Sequence, residues 1–174
     1  MITEMVGREW RLIDEFPGYE VSNAGTVRNC RTKRVLSIFV NKNNTPYVAF
    51  SRQGKQFNKS LPVLVAEIFL PAPEKETFTT PIHLNGDRTD CAAHNLMWRP
   101  RWFAIEFHKQ FEEVFNGERS VVRVSPPGLT LTAKQASMKY GLLLKDIINA
   151  ATTQDEARKL VWPTLQRFNV VFRN

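Results

Sequence analysis

Between Glu20 and Glu67 the chain places Arg28, Arg31, Lys33, Arg34, Lys42, Arg52, Lys55 and Lys59, and not one carboxylate. Cations at that density suit a surface that meets phosphate. A solvated sheet face mixes both signs for solubility, so the run favours nucleic-acid contact over a plain exterior. Charge elsewhere is uneven too. Residues 1–60 hold 10 Lys/Arg against 5 Asp/Glu, residues 61–115 hold 5 against 8, and residues 116–174 hold 9 against 4. Two basic flanks therefore enclose an acidic middle. Cys30 and Cys91 lie far apart with no CxxC pair, which argues against a zinc knuckle and a disulfide framework. They fit buried or incidental thiols in a reducing compartment.

The elements that must carry these groups read from the pattern. "YEVSNAGTVRN" alternates around a turn at Asn23-Ala24-Gly25, where Gly25 suits a positive φ. "RVLSIFVNKNNTPYVAFSRQGKQFNKSL" holds two apolar runs joined by a polar link, then a second turn at Arg52–Lys55. This is a small antiparallel sheet with cations at its tips. Such a sheet needs a partner to pack on, and "PVLVAEIFL" (62–70) supplies an apolar helix with Pro62 in its first turn. After the connection "PAPEKE", Phe103, Phe107, Phe111 and Val114 fall on one helix face that ends at Asn116-Gly117. His108 stands beside that stripe and reads as a satisfied or solvent-facing imidazole. "SVVRVSPPGLTLT" is a strand turned at Pro126-Pro127-Gly128. Two short helices broken at Gly141 have the length of a helix-turn-helix, and "FNVVF" is a strand that could pair with "VVRV".

A chain of 174 residues, 43% hydrophobic with 12 Phe, can fill a core of α+β class. No apolar run approaches the ~20 residues of a membrane span. The start, "MITEMVGREW", lacks the basic and apolar regions of a secretory signal.

The order of modules resembles an HNH homing endonuclease of the kind encoded in phage introns and intergenic regions. "EWRLIDEFPGYEVSNAGTVRN" resembles that family's N-terminal nuclease-associated modular domain. "IHLNGDRTDCAAHNLMW" resembles the HNH ββα-metal core, and "VRVSPPGLTLTAKQASMKYGLLLKDIINA" the C-terminal intron-encoded-repeat helix-turn-helix. The resemblance implies three modules: 1–60, a β-rich nucleic-acid-binding sheet; 61–116, the HNH-like core; and 117–174, a strand plus helix-turn-helix.

It also implies a particular chemistry. An HNH site uses an imidazole to activate water and one hard divalent ion to hold the scissile phosphate, and such an ion wants oxygen ligands. His83 matches the general base, Asn85, Gly86 and Asp87 the turn after it, and Asn95 the structural Asn before Leu96 and Trp98. The two metal-ligand positions are occupied by Ile82, where the family has Asp, and Ala104, where it has Asn or His. A His-Arg pair common in the family's preceding helix is replaced by Pro62 and Val63. Glu106 and His108 lie on the Ala104 helix, but a turn of ~5.4 Å is far for a ~2.1 Å bond.

The expectation is a degenerate HNH core with His83 as a vestigial base, no metal ligands, and no cofactor. The chain would bind nucleic acid, as DNA or structured RNA, alone or within a host or phage ribonucleoprotein or protein complex. Its location would be the cytoplasm of a host cell, with no membrane. The eight cations of residues 21–66, together with Lys134, Lys145 and Asn149, are the contact residues. The groove-entering helix, 142–151, offers few groups for reading bases, so phosphate and shape should dominate. One alternative is an active Mg²⁺- or Mn²⁺-dependent endonuclease with a displaced ligand set. Another is a phage protein that binds a host or viral protein complex.

Overall fold

The computed structural model describes residues 7–112, 121–124, 129–152, 159–160 and 168–172, with side chains described for 7–112 and 131–148. The chain packs as two compact units, Met1–Glu76 with Asp87–Trp98, and Thr77–Gly86 with Arg99–Asn174. The sequence modules are cut at 60 and 116, whereas the spatial units follow packing, and the first helix falls with the N-terminal sheets.

The first unit holds two three-stranded antiparallel sheets. One is formed by β1 (Trp10–Leu12), β2 (Tyr19–Ser22) and β3 (Val27–Asn29), the other by β4 (Ile38–Val40), β5 (Pro46–Arg52) and β6 (Lys55–Ser60). The sequence pattern anticipates one sheet here. Two form because the turn at residues 29–34 separates β3 from β4, leaving only an isolated bridge between Arg28 and Val35. The β5–β6 turn sets Gln53 and Gly54 at φ 51° and 73°. Two positive φ values match the right-handed twist of a tight hairpin. α1 (Leu61–Phe69) begins with Pro62 in its first turn and buries Leu61, Leu64, Val65 and Ala66. These meet Ile13, Phe16, Val21, Val27, Val48 and Phe50 in one core.

Residues 87–98 join this unit for local reasons. The Ala93 N–H donates to the Asn23 carbonyl (2.8 Å), and Gly25, at φ +75°, lies so close that a Cβ there would sit 3.0 Å from the Cys91 carbonyl oxygen. Cys91 itself is buried in the core. Burial, with Asp90 and Asp87 adding, pushes its thiol up to about 12. A protonated thiol is a weak nucleophile, which fits a packing role.

The second unit contains β7 (Thr80–His83) and α2 (Arg101–Lys109). β8 (Leu96–Arg99) runs up to the boundary between the units, and only Arg99 falls in the second. α2 is shorter than its apolar stripe suggests. After Gln110 the chain tightens, with Phe111 and Glu112 N–H groups donating to the His108 and Lys109 carbonyls three residues back. The stripe still packs: Phe103 and Phe107 are fully buried, and Phe111 meets Phe107 edge-on at 5.4 Å. Val114, Asn116 and Gly117 lie outside the described residues, as do Pro126, Pro127 and Gly128.

β9 (Val121–Val124), β10 (Leu129–Thr132), β11 (Lys159–Leu160) and β12 (Phe168–Phe172) form a sheet of order β10-β9-β12-β11. The "FNVVF" strand pairs with "VVRV" antiparallel, Val170 opposite Val124. The two helices are α3 (Ala133–Tyr140) and α4 (Leu144–Thr152). Thr132 and Gln135 make a capping box at the start of α3, and Gly141 closes it in the left-handed conformation. Arg99, 2% exposed, donates Nη2 to the Tyr140 and Gly141 carbonyls at 3.3 and 3.4 Å. Its charge is spent on the α3 C-terminus. No helix of the described residues is long and apolar enough to cross a membrane.

Candidate nucleic-acid interface and HNH-like centre

His83 closes β7 and is 3% exposed. Its Nδ1 lies 3.2 Å from Nε2 of His108, and its backbone N–H donates to that same Nε2 at 3.2 Å. Helical side chains lean towards the N-terminus, so an imidazole one turn beyond Ala104 reaches back to β7. His108 is therefore neither solvent-facing nor remote from the centre. Because Nε2 of His108 accepts the backbone N–H, it is an unprotonated nitrogen. A bare Nδ1 on His83 would oppose it lone pair to lone pair, so the favourable tautomer protonates His83 at Nδ1.

The following turn is built tightly. The Gly86 N–H donates to the His83 carbonyl (2.9 Å), and Gly86 sits at φ +80°. Ile82 is fully buried, and Ala104 is 3% exposed. The two imidazoles thus meet next to hydrocarbon positions in the chain: Ile82 precedes His83, and Ala104 lies one helical turn before His108. Among the described residues no group of three His, Cys, Asp or Glu side chains could hold a metal. A hard Mg²⁺ ion does not fit this donor set.

In the first unit Asn95, 5% exposed, donates Nδ2 to the Asp90 carbonyl at 2.8 Å and closes its own loop. Asp87 accepts from the Thr89 backbone and hydroxyl at 2.8 and 2.6 Å. Asn85 is exposed.

The eight cations divide. Glu20 takes two of them, Arg28 at 2.5 Å and Lys33 at 2.8 Å. Hydrogen bonds from Lys33 and then Arg28 hold its carboxyl below the usual range. Arg28 also lies over the Trp10 ring at 3.6 Å. Lys59 pairs with Glu15 at 2.6 Å, and Arg52 donates to the Glu15 carbonyl at 3.1 Å while facing Phe16 and Phe57. The acid-free window is real in sequence, yet Glu15 and Glu20 just outside it fold back onto it. Arg31, Arg34, Lys42 and Lys55 are all exposed, and none has a charge partner among the described residues. All four lie in or beside the turns.

In the second unit Lys134 is exposed on α3, while Lys145 is held by Glu106 at 2.5 Å. The Glu106 bond raises the Lys145 pKa. Burial raises the neighbouring Asp146 carboxyl. The side chain of Asn149 lies outside the described residues.

Comparison with known proteins finds similarity in motif, sequence and fold. The NUMOD4 motif covers residues 9–51. Two uncharacterized HNH endonucleases of Acanthamoeba polyphaga mimivirus are 32% and 34% identical over 92 and 89 residues, covering 52% and 49% of this chain but 26% and 22% of theirs. The H-N-H endonuclease F-TflII of Escherichia phage T5 is 26% identical over 88 residues, 51% of this chain and 46% of its own. The chain thus spans less than half the length of each of these relatives. Over 95% of this chain and 98% of the other, the fold resembles the HNH homing endonuclease I-HmuI, with a TM-score of 0.52 at 18% identity. In motif and relatives the chain is similar to HNH endonucleases, and its fold resembles that of an HNH homing endonuclease.

Proposed function

We propose that this chain binds DNA through its exposed turn cations and has lost Mg²⁺-dependent cleavage. One observation supports the reading: Ile82 and Ala104, the positions where the resemblance expects metal donors, are hydrocarbon side chains that are buried. His83 remains, held by His108, but an imidazole without a metal to grip the scissile phosphate lacks the partner that stabilises the leaving oxyanion. DNA is preferred over RNA because the matched relatives are named endonucleases and I-HmuI binds and cleaves DNA. The exposed cations Arg31, Arg34, Lys42 and Lys55 support phosphate contact.

A second reading, an endonuclease with a displaced ligand set, is favoured by the 3.2 Å contact between His83 and His108. Imidazole nitrogens suit ions such as Zn²⁺ or Ni²⁺ better than Mg²⁺.

Both readings meet in one experiment. The whole chain is incubated with supercoiled plasmid and Mg²⁺, Mn²⁺, Zn²⁺ or Ni²⁺, while binding to duplex DNA and structured RNA is titrated at two salt concentrations. The expected result is salt-sensitive DNA binding with no nicking. Metal-dependent nicking abolished by His83→Ala would overturn the loss of cleavage, and its abolition by His108→Ala would establish the displaced set. Tighter binding to RNA would redirect the assignment of target. Failure to bind either polymer near ~50 mM salt, where several phosphate contacts give strong affinity, would leave a protein partner as the surviving reading.

A further inference from the structure

The outer face of the β4–β6 sheet is composed unlike a plain exterior. Along β5, Val48 and Phe50 turn into the core at 0% exposure, so Tyr47, Ala49 and Ser51 turn the other way. Strand register places Phe39 opposite Tyr47, Asn58 opposite Ala49 and Gln56 opposite Ser51. The face is thus two aromatics at one end, amides and a hydroxyl at the other, and a small Ala between them. The Phe39 and Tyr47 rings stack at 5.6 Å and 29°. Phe39 is nonetheless 48% exposed.

A cavity of about 560 Å³ opens over this face, lined by Phe39, Ala49, Ser51 and Gln56 from the second sheet and by Tyr19 and Arg34 from the first sheet and its turn. The Arg34 guanidinium and the Gln56 amide have no hydrogen-bond partner among the described residues. An exposed aromatic, an uncommitted amide and an unpaired guanidinium therefore share one hollow. Arg31 and Arg34 precede β4 in the chain and Lys42 follows it, so exposed cations flank the aromatic on both sides.

We propose that this hollow takes an unstacked nucleobase of a bound DNA strand. The base stacks on Phe39, Gln56 meets its edge, and Arg34 holds the adjoining phosphate. The chemistry favours a base over an apolar peptide segment: the rim is cationic, with amide and hydroxyl groups on its floor. A fully stacked duplex presents edges and not ring faces, so a stacking site needs a base that has left the helix or a single strand. Sequence-tolerant binding of single strands elsewhere combines these same parts, a basic track and an aromatic platform. The proposal rests on the DNA-binding reading and adds a site and a strand state to it.

The test measures affinity of the whole chain for a single-stranded oligonucleotide and for a fully paired blunt duplex, by fluorescence anisotropy. Phe39 is exposed, so Phe39→Ala should fold, and thermal unfolding checks that it does. Phe39→Ala is expected to weaken single-strand binding by about tenfold or more, with a smaller loss on the duplex. Phe39→Trp is expected to retain affinity, and its added indole emission should be quenched by the oligonucleotide. Gln56→Ala should weaken binding less than Phe39→Ala. Unchanged single-strand affinity in Phe39→Ala, alongside salt-sensitive binding by the wild type, would overturn the stacking site and leave the DNA-binding reading standing. Equal losses on single strand and duplex would do the same, because they indicate a surface contact indifferent to stacking. A wild type that binds neither DNA would bring down both.

Discussion

Gly86 shows how a single residue ties the His83 turn to the helix beside it. Its φ of +80° disfavours any L side chain, and a Cβ there would sit 2.5 Å from Cγ of Phe111. Cγ is the root of the ring, not a flexible tip, so the ring cannot swing clear without losing its edge contact with Phe107. Gly86→Ala should therefore destabilise the second unit by about 2–4 kcal/mol, combining left-handed strain with overpacking. Chemical denaturation reads the loss. In a Phe111→Ala background the steric share should vanish and the backbone share remain, so the cost of adding the methyl falls to about 1–2 kcal/mol. A cost that is the same in both backgrounds would mean the ring yields freely. The turn glycine is readable from the run Asn85-Gly86-Asp87, but its neighbour is not. Phe111 reads from sequence only as part of an apolar stripe, and nothing local says which of those rings lies over the turn.

Among the elements of the second unit, Gln110 is the joint. Its Nε2 donates to the Ser137 hydroxyl at 3.0 Å, and its Oε1 accepts the Leu144 N–H at 2.8 Å. Ser137 passes the network on, donating to the Leu142 carbonyl at 2.6 Å. One buried amide thus links the end of α2 to α3 and to the first turn of α4, where an orphan N–H needs an acceptor. Gln110→Leu keeps the bulk and strands that N–H. It should cost about 1–3 kcal/mol, with faster amide exchange at Leu144. Gln110→Glu keeps the acceptor and loses the donor to Ser137, so exchange at Leu144 should stay slow. Equal exchange rates in Gln110→Leu and the wild type would sink the assignment. Much of the element order is legible in the sequence, and the physical reason is periodicity. Strand alternation, Pro62 at a helix start, the Phe103-Phe107-Phe111 spacing and the break at Gly141 are local signals. What is not legible is tertiary. Gln110 carries no periodic mark, and the pairing of His108 with His83 depends on how α2 lies along β7. The split of the N-terminal strands into two sheets depends on a turn whose Lys33 adopts φ 58°, a conformation no side-chain pattern announces.

Over the whole molecule the question is which of its charges can reach a partner. A net charge of +7 overstates the phosphate-binding capacity, because Glu20 holds Arg28 and Lys33, Glu15 holds Lys59, and Glu106 holds Lys145. Glu20 is the informative case. Its pKa is lowered from the ordinary Glu value by hydrogen bonds from Lys33 and then Arg28. A depressed carboxylate contributes stability that is present above its unfolded value and lost as pH falls through its folded value. Acid should therefore weaken the first unit from about the ordinary Glu value of 4.3 downwards, and Glu20→Gln should remove that part of the pH dependence. The same substitution, at neutral pH, leaves Arg28 and Lys33 without their carboxylate. If the N-terminal cations face phosphate, the variant should bind duplex DNA more tightly at low salt. Its slope of log affinity against log salt should steepen by up to about 2, close to 0.9 for each released cation. The Trp10 ring still holds Arg28 once the carboxylate is gone. A slope change near ~1 would therefore assign the gain to Lys33 alone, and Lys33→Ala in the Glu20→Gln background should then cancel it. A slope identical to the wild type, with the fold intact by thermal unfolding, would place the phosphate-facing surface away from these turns.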